Sequence, residues 1–283
     1  MRRLLNGAFL LATASCATAV CAILLGLVAT ILVRALPVLH LDLLTQQMAE
    51  AGASGGIRYE LLGTLILMVT ALAVSTLLSV ALALTKTIYV GSPRLQRWIA
   101  LGLYTLNGMP SIVFGIVGMA FFMGVLGWAK SWLSGGILLG LMILPTMSVA
   151  LIERIESLPR QYTEAAASLG LNRSQIVWSV VLPQSASGLL SGSLLGLARA
   201  AGETAPIMFT AAVFSGATLP HGIRESPVVA LPYHIFVLAQ DSFQEGAEAR
   251  LWGATFVLLA LVFILSLVAL PARLAVHEEA KHG

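Results

Sequence analysis

Charged residues are scarce in this sequence: Asp, Glu, Lys and Arg make up 10% of its 283 residues. Soluble globular domains carry about a quarter, so the shortage excludes an ordinary water-soluble fold. Cysteine is nearly absent. Cys16 and Cys21 stand five apart in one apolar run, where a single helix keeps them from bridging. No disulfide framework is therefore expected, and neither residue reports on redox compartment. A Gly-x-x-x-x-Gly-Lys-Ser/Thr phosphate loop is missing, which argues against ATP hydrolysis by this chain. The five histidines, His40, His221, His234, His277 and His282, have no metal-ligand spacing, so no metal is expected. There is no serine nucleophile elbow and no carboxylate pair at a hydrolytic spacing. Repeats of solenoid period and low-complexity blocks are lacking too.

What the sequence has is apolar length. Hydrophobic residues make up 58%, and the mean hydropathy is +0.92. The stretches 8–33, 61–85 and 251–270, and most of 99–123, contain no charge. Each matches or exceeds the roughly 20 apolar residues a helix needs to cross about 30 Å of hydrocarbon. Uninterrupted runs of this length mean helices, because barrel strands are short and alternate. Arg2 and Arg3 precede the first run, which outlasts the 7–15-residue core of a signal peptide and reads as a span. Trp98, Trp128, Trp132 and Trp252 fall near span ends, as an interfacial belt requires. The expectation is an all-α membrane protein with six transmembrane helices, at about 8–35, 61–85, 98–123, 134–152, 187–216 and 250–272. It divides into an N-terminal helix with its outer loop (1–58), a transmembrane domain (59–272) and a tail (273–283).

Cations orient the spans. With the N-terminus inside, ten of the sixteen Lys and Arg residues face the cytoplasm. Arg34, Arg58, Lys130, Arg224 and Arg250 face out, and Arg199 is buried in a span. The acidic residues Asp42, Glu50, Glu60, Glu225, Asp241, Glu245 and Glu248 also fall outside. Both termini are expected in the cytoplasm. The pI near 9.1 does not point to nucleic acid, because the inward cations are spread over four segments.

The loop between spans four and five reads Glu164-Ala165-Ala166-Ala167-Ser168-Leu169-Gly170, then Val180-Val181-Leu182-Pro183. It resembles the EAA signature of bacterial ABC-importer permeases: Glu-Ala-Ala, a Gly six residues after the Glu, and a closing Leu-Pro. Only the usual Ile differs, as Val180. The resemblance implies a type I importer permease fold. It makes 164–183 a cytoplasmic coupling segment that docks on a separate ATPase, where ATP and magnesium would be bound. Small side chains at Ala165, Ala166 and Ala167 allow close backbone approach, and Gly170 suits a helix end. Glu164 is free to cap the helix or to pair with a basic partner.

Span five carries Arg199 and Glu203, each costing about 2.5–3.5 kcal/mol at a helix centre unless partnered or hydrated. Four residues apart, they share a face. Gly188, Gly192 and Gly196 fall within roughly an 80° arc of them. This glycine stripe implies close helix packing, expected against a partner subunit at the translocation axis. The planar Arg199 fork suits a tetrahedral oxyanion, and Glu203 could accept a proton from hydrogen phosphate. The two could equally neutralise one another and lock the packing. Pro206 removes a helical hydrogen bond and is expected to kink the span, as a hinge or as a packing device.

The same stretch, Ala198-Arg199-Ala200-Ala201-Gly202-Glu203-Thr204-Ala205-Pro206 followed by Phe209-Thr210, looks like the PstA family of phosphate permeases. Gly55-Gly56-Ile57, Pro110-Ser111-Ile112-Val113 with Gly115, and Leu231-Pro232 with Ile235-Phe236 agree, so the likeness runs from about residue 50 to the end. The resemblance implies a multi-pass protein of the bacterial inner membrane with Arg199, Glu203 and Thr204 on the substrate path. Its partners would be a PstC-like permease, a PstB-like ATPase dimer and a PstS-like phosphate-binding protein. One departure stands out. Many relatives carry Arg-Thr-Thr on span four after the Pro matching Pro145, whereas Thr146-Met147-Ser148 has no cation. Anion passage would then lean on Arg199 or on the partner permease. The rival readings are a sulfate or molybdate importer of the same fold, an autonomous secondary transporter or channel, and a sensory membrane scaffold.

Overall fold

The long apolar runs become long helices, and their breaks fall where proline forbids continuation. The computed structural model describes residues 2–49, 52, 54–214, 219–240 and 246–282, with side-chain surroundings between residues 9 and 268. Glu50, Asp241, Glu245 and the expected end of span five at 215–216 lie outside the described residues, as do the side chains of Arg2, Arg3 and the tail 273–283.

Helix α1 (Arg2–Ala35) leads through a tight turn to α2 (Leu41–Thr45) and a two-stranded antiparallel hairpin, β1 (Met48–Ala49) with β2 (Ser54–Gly55). Then follow α3 (Arg58–Leu84), α4 (Pro93–Gly108), α5 (Ser111–Met119), α6 (Trp132–Glu156), α7 (Arg160–Ser168), α8 (Arg173–Ile176), α9 (Leu182–Gly202), α10 (Ala205–Thr210), α11 (Leu231–Gln240) and α12 (Ala247–His282). Among the described residues five helical stretches are long and apolar enough to span: Phe9–Val38, Arg58–Tyr89, Trp132–Glu156, Arg173–Gly202 and Ala247–Val268. The sixth is a bent pair, Pro93–Gly108 with Ser111–Val125.

Two spans expected to be continuous are broken. The third turns through 97° between α4 and α5. Pro110 explains the turn, because a residue before proline is pushed out of helical geometry, and Met109 is extended at φ −73°, ψ 135°. The fifth stops at Gly202. A continuous helix would set the Pro206 ring against the Gly202 carbonyl. Instead Glu203 leaves helical geometry at φ −80°, ψ 125°, and the chain restarts with Pro206 in the first turn of α10, where a missing N–H costs nothing. Pro206 therefore opens a new helix rather than kinking an old one. Pro183 is accommodated differently. It lies inside the continuous stretch Arg173–Gly202, and a π-turn at Val177–Val181 widens the backbone just before it.

Helix α6 is central, with α3 and α9 packed on it. Leu67, Ala71, Leu139, Met142, Ile143, Met147 and Ile207 form the main core, and Ala83, Leu103, Leu151, Ile152 and Val181 a second one. The glycine stripe lines this arrangement from within. A Cβ on Gly188 would lie 2.4 Å from Arg154 Cβ, on Gly192 3.0 Å from Met147 Cα, and on Gly196 3.3 Å from Ile143 Cβ. The stripe thus faces the chain's own α6, not a partner subunit as expected. The sequence pattern specified close packing but could not say which helix receives it. Ion pairs at 2.7 Å join Arg34 to Glu248 and Lys86 to Glu156, each between residues expected on one side of the membrane.

Candidate functional site

The two broken spans meet. Gly115 of α5 lies so close to α10 that a Cβ there would sit 2.7 Å from Phe209 and 2.9 Å from the Ala205 carbonyl. Arg199 stands one turn before the α9 break. Its Nη1 donates to Asn107 Oδ1 at 2.9 Å, one residue before the last residue of α4, and its Nε lies 3.6 Å from Glu203 Oε1. The pair expected from sequence is present, although Glu203 reaches Arg199 from extended backbone rather than along a helix face. The guanidinium side chain is 32% exposed and the carboxylate 18%. Thr204 is the N-cap of α10, with its carbonyl accepting the Met208 N–H at 3.0 Å. A cleft of about 300 Å³ starts at Asn107 and passes Tyr104, Thr146 and Ala150 to Glu153. Because α4 and α6 carry it toward their cytoplasmic ends, it is an inward-running groove with Asn107 at its head.

The far end of α10 is fixed. Lys130 Nζ donates to the Met208 and Ala212 carbonyls at 2.7 and 3.0 Å, satisfying the helix C-terminus. Burial pushes the Lys130 ammonium below its ordinary value. Ser131 N–H and Ser134 Oγ both donate to the Thr210 carbonyl. Anchored at that end, α10 presents its N-terminal residues to Arg199.

At the cytoplasmic end, α7 carries Glu164 and Ala165 exposed and Ala166 buried. Gly170 ends the helix at φ +82° in a Schellman closure, its N–H donating to Ala167 O and that of Leu171 to Ala166 O. Glu164 does not cap. The N-cap is Pro159, and the Glu164 side chain has no partner among the described residues. Leu182 and Pro183 belong to the helix that continues into span five.

Sequence spacing gave no sign of one polar pair on the outer side. Glu60 at the start of α3 and His234 of α11 are each 1% exposed, with Oε1 and Nδ1 3.7 Å apart, beyond hydrogen-bond range. Burial pushes His234 down to about 4. An unfolded chain binds the proton near 6.5, so acid favours unfolding, and stability is lost as the pH falls from about 6.5 toward 4. The melting temperature of purified protein should decline across that window. His234→Gln should flatten the decline; an unaltered slope would assign it to other groups.

Residues 75–276 match the family described as binding-protein-dependent transport system inner membrane component. The probable ABC transporter permease protein YqgI of Bacillus subtilis is 27% identical over 265 residues, spanning 90% of each chain. Phosphate transport system permease protein PstA 2 of Mycobacterium bovis is 30% identical over 268 residues, 94% of this chain and 86% of that one. Among solved structures, the MetNI methionine ABC transporter in an inward facing conformation shares the fold at TM-score 0.58 and 15% identity, covering 78% of this chain and 94% of that one. The family match, the relatives and the spans agree: this chain belongs to the binding-protein-dependent transport system inner membrane component family, as a multi-pass permease subunit of the ABC importer type.

Proposed function

We propose that this permease passes inorganic phosphate, forming half of a translocation path completed by a PstC-like permease. A PstB-like ATPase dimer would drive it, and a PstS-like extracytoplasmic protein would deliver the anion. The observation that carries this reading is the Arg199 guanidinium, held where two broken spans meet between Glu203 and Asn107, the latter of which lines an inward cleft. An Arg fork suits a tetrahedral oxyanion, and a carboxylate beside it favours a species that still carries a proton, as hydrogen phosphate does and sulfate does not. The relative named as a phosphate transport permease supports the same choice. ATP and magnesium belong to the ATPase, so this chain binds neither. Uptake of radiolabelled phosphate and sulfate, measured with and without this chain, tests the proposal. Phosphate uptake should vanish without it and sulfate uptake persist; unaltered phosphate uptake, or loss of sulfate uptake instead, overturns it.

Coupling rests on α7. Its Glu164 and Ala165 are exposed, with Glu164 on the face opposite the buried Ala166, and the helix is ended by Gly170. Glu164→Lys reverses a charge on that face without touching the core. Co-purification of the ATPase, or its transport-coupled activity, should drop by about tenfold. Unchanged coupled hydrolysis would remove Glu164 from the docking surface.

A further inference from the structure

We propose that Asn107 is a positioning residue for the transported anion: it fixes the Arg199 guanidinium across the break in span three and offers its own amide N–H groups beside it. This rests on the reading of Arg199 as part of the anion path.

Hydrogen-bond chemistry sets the orientation of the amide. An Arg side chain can only donate, so the Asn107 group 2.9 Å from Arg199 Nη1 must be its carbonyl oxygen. The amide nitrogen then carries two N–H donors, and neither has a partner among the described residues. Asn107 is exposed, in an apolar span one residue from the last residue of α4. An exposed primary amide and a part-exposed guanidinium are costly against hydrocarbon, so the surface that carries both fits a hydrated passage. The cleft bordered by Tyr104, Asn107, Thr146 and Glu153 begins there. Glu203 approaches Arg199 Nε while Asn107 takes Nη1, which leaves guanidinium N–H groups to donate elsewhere.

The resulting site combines one cation with neutral donors. A single Arg⁺ largely offset by Glu203 holds an anion weakly enough to release it. The Asn107 amide adds hydrogen bonds without adding charge, an arrangement suited to passing an anion rather than storing it. Because Asn107 sits at the 97° bend, any change in that bend moves the donor relative to Arg199 and so links the conformation of α4 to anion contact.

Two near-isosteric variants test the proposal in the complete importer, with radiolabelled inorganic phosphate as ligand and co-purification of the ATPase as the measure of assembly. Asn107→Asp exchanges the donor for a carboxylate that neutralises Arg199 and repels the anion, so uptake should fall about 100-fold. Asn107→Leu removes both hydrogen-bonding functions, with an expected loss of about tenfold. Neither should alter assembly. Asn107→Leu combined with Arg199→Gln should transport no worse than Arg199→Gln alone, a non-additivity that a separate structural role would not produce. Normal uptake by both variants while Arg199→Gln is inactive overturns the role of Asn107 and leaves the phosphate reading intact. Additive losses overturn it as well, and so does failure of both variants to assemble where Arg199→Gln assembles. Full uptake by Arg199→Gln overturns the underlying reading of the site.

Discussion

Replacing Arg199 with Gln should lower phosphate uptake by about 100-fold while the chain still assembles with its partners. The side chain is 32% exposed and hangs from the last turn of α9, so its loss removes little packing. Glutamine keeps a donor for Asn107 but cannot present the charge or the parallel fork that a tetrahedral anion accepts. Glu203, which now lies 3.6 Å from Arg199, would be left as an uncompensated carboxylate facing the path and would repel the anion. Arg199→Lys separates charge from geometry: a restored charge without the fork should recover part of the rate, well short of the original. Uptake at the original rate in Arg199→Gln, with the protein present in the membrane, would reduce the pair to a packing element and sink the phosphate path.

Much of this site was legible in the sequence because charge inside an apolar run is conspicuous. Arg199 and Glu203 stand out against span five, and the structure places them together. Their surroundings were harder to read. Asn107 is uncharged, and its role depends on a 97° turn that brings α4 and α5 into contact with α9 and α10, a tertiary fact that no local pattern encodes. Pro110 signalled the turn, but hydropathy alone joined 98–123 into one span, because both arms are apolar. Pro206 misled in the opposite direction. It marks the start of α10, and the break it imposes appears three residues upstream, where Glu203 is extended. His234 and Glu60 lie 174 positions apart and meet only through the packing of α11 on α3, so spacing rules had nothing to detect. Cytoplasmic structure was more local. Gly170 needed only its place after an Ala-rich turn to be read as a helix end.

The glycine stripe gives the second large effect, and it links the core to the site. Gly188, Gly192 and Gly196 let α9 lie directly on α6 for two turns before the helix reaches Arg199. At Gly188 even a methyl group would meet Arg154 Cβ at 2.4 Å and the Ala150 carbonyl at 3.0 Å. Both belong to the α6 framework, so no flexible side-chain end is available to move aside. Gly188→Leu must therefore push the two helices apart, and overpacking of this kind costs about 1–3 kcal/mol, or more where backbone is the obstacle. Because α9 carries Arg199, a displacement large enough to relieve the clash also shifts the guanidinium away from Asn107, which lines the cleft. Gly188→Leu should thus abolish uptake and sharply reduce the amount of folded chain in the membrane. Gly26→Leu, at a site where a Cβ meets nothing within 4 Å, should do neither within this chain. Membrane abundance and thermal unfolding of the two variants distinguish a specific seam from a general intolerance of bulk. Equal tolerance of leucine at both positions would mean that α9 is not held against α6 by its glycines, and the position of Arg199 would then need another support.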